Sequence, residues 1–387
     1  MDRYGQRRWE WDALRGLMLV LMTITHFPTQ FSDPLGQPFG FVSSAEGFVF
    51  LSACLVGRIA ISLTARAGFE DARRWLWRRA AKVYAAHLAL LVFLLGVLVP
   101  YASGRGDNPI VNLSSYYLQQ PARGFAESLV LMYNPPLLDI LPMYVLFLAL
   151  TPALLALARR IEWPRVIALS VVVWLAAQFG AGTAVYAGFA RLVGWAEPYT
   201  ATGAFTLLAW QLLWVAGVYA GQRSAQGAPA ARIMLRPAIA NTAIAVAVLF
   251  FVARHATGQI PFGATHVELN AWFDKWRLAP LRLLDFAALL VVLQRAGPFL
   301  ARQRRIVAPF AFLGRASLPV FCMQLVLCMT ALAWLGEGPR PFAEDALLLS
   351  SAFALMALTA WVAQYAAVAF RGEPAATGAA VNARGVR

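Results

Sequence analysis

The chain has 387 residues, 60% hydrophobic and 13% charged, with a mean hydropathy of +0.61 and a formal charge of +14. A soluble domain is about a quarter charged, so this composition excludes an ordinary soluble fold and points to a bilayer as the solvent. The basic residues sit in short loops between apolar runs rather than along one polar face, which argues against nucleic acid as a partner.

Runs of about 20 apolar residues predict ten membrane spans, near 12–28, 42–64, 81–103, 138–158, 164–180, 204–222, 235–254, 279–296, 309–335 and 344–370. The expectation is an all-α polytopic helix bundle forming one domain over residues 1–371. An alanine- and glycine-rich tail, 372–387, is expected to be disordered. No small-residue cleavage site follows the first run, so it is expected to remain as a span. With both termini on one side, that side collects 22 of the 33 basic residues and the opposite side 7, the other four lying inside spans. This split places both termini in the cytoplasm. Cys54, Cys322 and Cys328 all fall within apolar segments and match no metal or disulfide spacing.

The first span, WDALRGLMLVLMTITHF, carries Arg15 and His26. Eleven steps at about 100° each bring the two side chains to one helix face, separated by roughly 16 Å along the axis. Either residue alone reads as snorkelling or interfacial; two on one stripe favour a polar cavity, because an ionisable group facing lipid costs about 2.5–3.5 kcal/mol. The second span, FVSSAEGFVFLSACLVGRI, places Glu46 toward the outer end and Arg58 toward the inner. Glu46 is a candidate to orient His26 as a general base; capping of its own helix, or an arginine pair, is the alternative. Next comes the basic stretch RRWLWRRAAKVYAAH. On a helix its Arg74, Arg78 and Lys82 recur every four residues, a stripe suited to lipid headgroups or to the phosphates of a ligand.

Asp139 opens the fourth predicted span, and Arg282 and Asp285 open the eighth as either a local ion pair or part of the same cavity as His26. Arg315 stands at the inner start of the ninth. His255 and His266 fall in an outer loop and His87 within the third span. Nucleotide-binding, dinucleotide and zinc-protease motifs are missing from the sequence, and no metal site is expected.

WDALRGLMLVLMTITHF followed by FGFVSSAEGFVFLSACLVGR resembles the amino-terminal signature of OpgC-type membrane proteins, associated with succinylation of osmoregulated periplasmic glucans. NPPLLDILPMYVLFLALTP, KWRLAPLRLLDF and FLGRASLPVFCMQ are similar to later segments of that family, in the same order, so the resemblance spans about residues 9–330. Wider relatives of the acyltransferase-3 type carry an arginine and a histidine on the first helix with ten residues between, the spacing of Arg15 and His26. The resemblance implies a bacterial inner-membrane O-acyltransferase. It would move a succinyl or acetyl group from cytoplasmic acyl-CoA to a hydroxyl of a periplasmic glucan or other envelope polysaccharide, with no permanently bound cofactor. His26, Arg15 and Glu46 would be catalytic, and Arg73, Arg74, Arg78, Arg79 and Lys82 would hold the CoA phosphates. Asp139, Arg282, Asp285, Arg58 and Arg315 would contact substrate, a free carboxylate on the acyl group needing one of the arginines. A carbohydrate transporter or flippase is the competing reading, since it too lines a membrane cavity with charge.

Overall fold

Long apolar runs satisfy their backbone groups internally by forming helices, and the computed structural model follows this rule throughout. It describes residues 9–105, 108–195, 199–227, 236–263 and 265–371. The long helices are α1 (Trp9–His26), α2 (Ser44–Ala67), α3 (Phe69–Phe93), α4 (Ile140–Ile161), α5 (Trp163–Gln178) and α6 (Ala181–Val193). They continue with α7 (Leu207–Ala225), α8 (Pro237–Thr257), α9 (Pro280–Arg302), α10 (Arg304–Arg315), α11 (Ser317–Leu335) and α12 (Phe342–Arg371). A wider π turn, Leu94–Leu98, carries α3 on to Ser103.

Among the described residues, eight helical runs are long and apolar enough to cross a membrane, or nine when α5 and α6 count as one broken span. α1, with Glu10, Asp12 and Arg15 in 18 residues, falls outside that test; counting it gives the ten spans the sequence predicts. The chain is a multi-pass membrane protein.

Three boundaries differ from the sequence expectation. α3 begins at Phe69, so the basic stretch is the first half of a spanning helix and not a loop before it. The ninth predicted span is two helices, divided at Ala316. Pro319 has no N–H to give the Arg315 carbonyl, and its ring would clash there, so the α-helical ladder restarts at Ser317. α5 ends at Gln178, and α6 leaves at 82° to it; Gly180 turns the corner at φ +84°, in the left-handed region open to glycine. The tail 372–387 lies outside the described residues.

Helices in lipid associate through close packing of small residues. α7 sets Gly217 against Ala53 and Gly221 against the Cys54 carbonyl of α2, and Gly57 of α2 in turn meets the Val218 backbone. A Cβ on Gly221 would lie 1.9 Å from the Cys54 carbonyl oxygen, so any side chain there drives the helices apart. Overpacking of this kind costs about 1–3 kcal/mol, and Gly221→Ala is expected to lower the melting temperature of the detergent-solubilised protein by several degrees. An unchanged melting temperature would show that the α2–α7 seam yields without cost. α1 and α10 meet in the same way, Gly16 against the Phe310 backbone and Gly314 against that of Asp12. This second seam holds α1 tightly against α10.

Candidate functional site

At the end of the bundle opposite the arginine-rich end lies a cavity of about 780 Å³, within the range of small-molecule sites. His26 closes α1 on its wall, beside Met22 and Thr25. The His26 ring places Nδ1 2.8 Å from the Met22 carbonyl oxygen. A carbonyl only accepts, so Nδ1 carries the hydrogen, and in the neutral ring Nε2 holds the lone pair. Ser43, Ser44 and Ala45 at the start of α2 form a second wall. The bend between α5 and α6 forms a third, through Gly180, Gly182 and Thr183. Asp139, Asp274, Lys275, Trp276, Arg277 and the buried Gln324 also face it.

Beneath this cavity is a chamber of about 20 Å³, room for about one water. Arg15, Ser52, Arg79, Tyr144 and Ser317 line it, and Ile140 and Phe321 belong to both linings. Those two residues therefore border both spaces, and Phe321 is stacked on Phe48, ring centroids 5.5 Å apart. Arg15 donates to the Ser317 hydroxyl, and its guanidinium lies 5.9 Å from the Phe48 centroid. Ser317, in the first turn after the Ala316 break, is thus within reach of the α1 arginine.

The α3 basic stretch divides by face. Arg74, Arg78 and Lys82 are exposed, Arg74 pairing with Asp71 at 2.7 Å. Arg73 pairs with Glu70 at 2.5 Å and lies over the Trp77 ring. Arg79 alone of the five turns into the chamber, with Nη2 3.4 Å from the Tyr144 hydroxyl.

Glu46 does not reach the His26 cavity. It is fully buried beneath Arg282, to which it is ion-paired, and it completes a capping box by accepting from the Ser43 amide at 3.0 Å and from the Ser43 hydroxyl. The ring of His26 is oriented by a backbone carbonyl where the sequence suggests a carboxylate. Arg282 also donates to the Phe273 carbonyl at 3.2 Å. Asp285 accepts the Phe41 amide at 2.9 Å, so Arg282 and Asp285, three apart on α9, serve different partners. Arg58 donates to Ser224 across the α2–α7 seam, and Arg315 is exposed on α10; neither lines either space. Of the five substrate candidates only Asp139 lines the outer cavity, where its Oδ2 accepts the Ala204 amide at 3.1 Å. Burial pushes its carboxyl above the ordinary range, the Ala204 amide and Lys275 opposing the shift.

Lys275, Tyr144, Phe321 and Gln324 are contributions that sequence reasoning did not assign. A signal existed for Lys275, a lysine set between aromatic residues in FDKWR. The helical phase of Tyr144 and Phe321 gives no comparable sign. Among the described residues, no group of three or more His, Cys, Asp or Glu side chains is arranged to hold a metal.

A family model described as OpgC protein matches residues 7–367 of the chain. No curated protein and no solved structure matches it.

Proposed function

The chain belongs to the OpgC family, and from that membership and the cavity geometry we propose that it is a glucan-modifying O-acyltransferase of the bacterial inner membrane. It takes an acyl group, succinyl or acetyl, from cytoplasmic acyl-CoA and delivers it to a hydroxyl of a periplasmic glucan. The observation that carries this reading is the succession of the two spaces along α1, His26 lining one and Arg15 the other, with Ile140 and Phe321 bordering both.

A CoA thioester bears phosphates that cannot enter a bilayer, but its pantetheine arm is thin. In this reading the phosphates stay at the arginine-rich end, with Arg73, Arg74, Arg78 and Lys82 near them. The arm rises past Arg79, Tyr144 and Arg15. Phe321 and Ile140, which border both spaces, move apart when the arm arrives. In the outer cavity the glucan hydroxyl attacks the thioester carbonyl while its proton passes to His26 Nε2. The new C–O bond forms, the C–S bond breaks, and the departing thiolate takes the proton back from His26 to leave as free CoA. The start of α2 lies on the cavity wall, and its positive end favours the negative charge that develops on the carbonyl oxygen. Arg282, held by Glu46, is not free to do so.

The test is direct. Purified protein in detergent, given succinyl-CoA or acetyl-CoA with glucan oligosaccharides, is expected to release free thiol and to raise the oligosaccharide mass by one acyl group. A transporter would do neither, and thiol release equal to a protein-free blank would exclude the proposal.

A further inference from the structure

Lys275 stands apart from the other charged groups of the outer cavity. Among the described residues it makes no salt bridge, although acidic groups surround it. Each of these is engaged elsewhere. Asp274 takes the Trp276 amide at 2.7 Å and Arg277 at 3.9 Å, Glu46 takes Arg282, and Asp139 takes the Ala204 amide. The ammonium lies instead over aromatic faces, 4.7 Å from the Trp276 centroid and 6.0 Å from that of Phe205. Burial pushes it below the ordinary lysine range; Glu46 and Asp139 pull the other way, and Arg282 adds to the push.

The segment that carries this cation is tied down on all sides. The Trp276 carbonyl accepts the Trp210 indole N–H at 3.1 Å and the Thr206 amide at 3.0 Å. The Arg277 carbonyl accepts from Gln178 at 2.9 Å, and the Leu278 carbonyl accepts the Trp174 indole at 2.9 Å. Lys275 therefore projects from a fixed backbone into the cavity that also holds His26. The ammonium is partly buried and, among the described residues, touches no carboxylate, so an incoming carboxylate gains a charge-assisted contact that no protein group supplies there.

We propose that Lys275 reads a free carboxylate on the transferred acyl group, making it the residue that selects the half-thioester of a dicarboxylic acid over a neutral acyl group of equal length. The assignment rests on the acyl-transfer reading above. The competing cations are placed differently: Arg282 is neutralised by Glu46, Arg15 lines the smaller chamber, and Arg277 is solvent-exposed beside Asp274. A methyl group in place of the carboxylate leaves the ammonium unmatched, and sites built around such a group reject the analogue that lacks it.

Thiol release is compared for succinyl-CoA and butyryl-CoA, which differ by a carboxylate against a methyl, using wild-type protein, Lys275→Met and Lys275→Arg. The ratio of the two kcat/KM values does not depend on how much protein is folded. Wild type is expected to favour succinyl-CoA by about 100-fold. Lys275→Met is expected to erase most of that ratio, chiefly through KM for succinyl-CoA, and Lys275→Arg to restore most of it. A wild type indifferent to the two donors, or a Lys275→Met variant that loses both in proportion, overturns the role of Lys275 while leaving acyl transfer standing. Consumption of neither donor by wild type removes the acyltransferase reading, and this assignment with it.

Discussion

His26→Ala is expected to lower acyl transfer by about 100- to 10,000-fold, the range a positioned base supplies, with little change in melting temperature. A sugar hydroxyl is a weak acid, and it attacks a thioester usefully only while its proton is being removed. His26 is the imidazole on the wall of the outer cavity, and its Nδ1–H is committed to the Met22 carbonyl, so the nitrogen left to accept a proton is Nε2. The ring is only partly buried and borders open space, so its removal takes little from the packed core. His26→Gln serves as a second probe: it keeps a polar side chain of similar reach and lacks a basic nitrogen. Both variants are measured by thiol release and by oligosaccharide mass. Wild-type turnover in either would take His26 out of the reaction.

Much of this was legible in the sequence because the bilayer makes strict demands. The spans follow from the apolar runs, and the placing of Arg15 and His26 along one face follows from eleven helical steps. The breaks were also written there, though not read as such. Pro319 forbids the hydrogen bond that would have joined α10 to α11, and Gly180 sits where α5 turns into α6. Glu46 shows the other side. The run VSSAE is a capping signature, Ser43 three residues before Glu46, and that local chemistry takes the carboxylate away from His26. Its ion partner, Arg282, is 236 residues distant, and no sequence period announces such a pairing. The same holds for Lys275. Its role depends on which neighbouring carboxylates are already engaged, and only the three-dimensional arrangement decides that.

The Glu46–Arg282 pair gives the sharpest separation between a residue that reacts and one that holds the reacting groups in place. Both side chains are almost wholly removed from solvent, at 0% and 5% exposure, so deleting one charge strands the other. Breaking a buried pair in this way costs about 3–5 kcal/mol. Glu46→Gln keeps an acceptor for the Ser43 amide and removes only the charge, which confines the effect to the ion pair. Glu46→Gln and Arg282→Met are each expected to lower the melting temperature markedly. The double variant, which strands neither charge, is expected to recover a large part of the loss, giving strong non-additivity. Transfer should fall in step with stability, because Ser43, Ser44 and Ala45 move when the start of α2 loosens, and these residues wall the cavity. The opposite pattern, Glu46→Gln melting like wild type yet inert in acyl transfer, would mean that this carboxylate acts on His26 directly in a conformation other than the one seen. Thermal unfolding and thiol release on the same four preparations decide between the two.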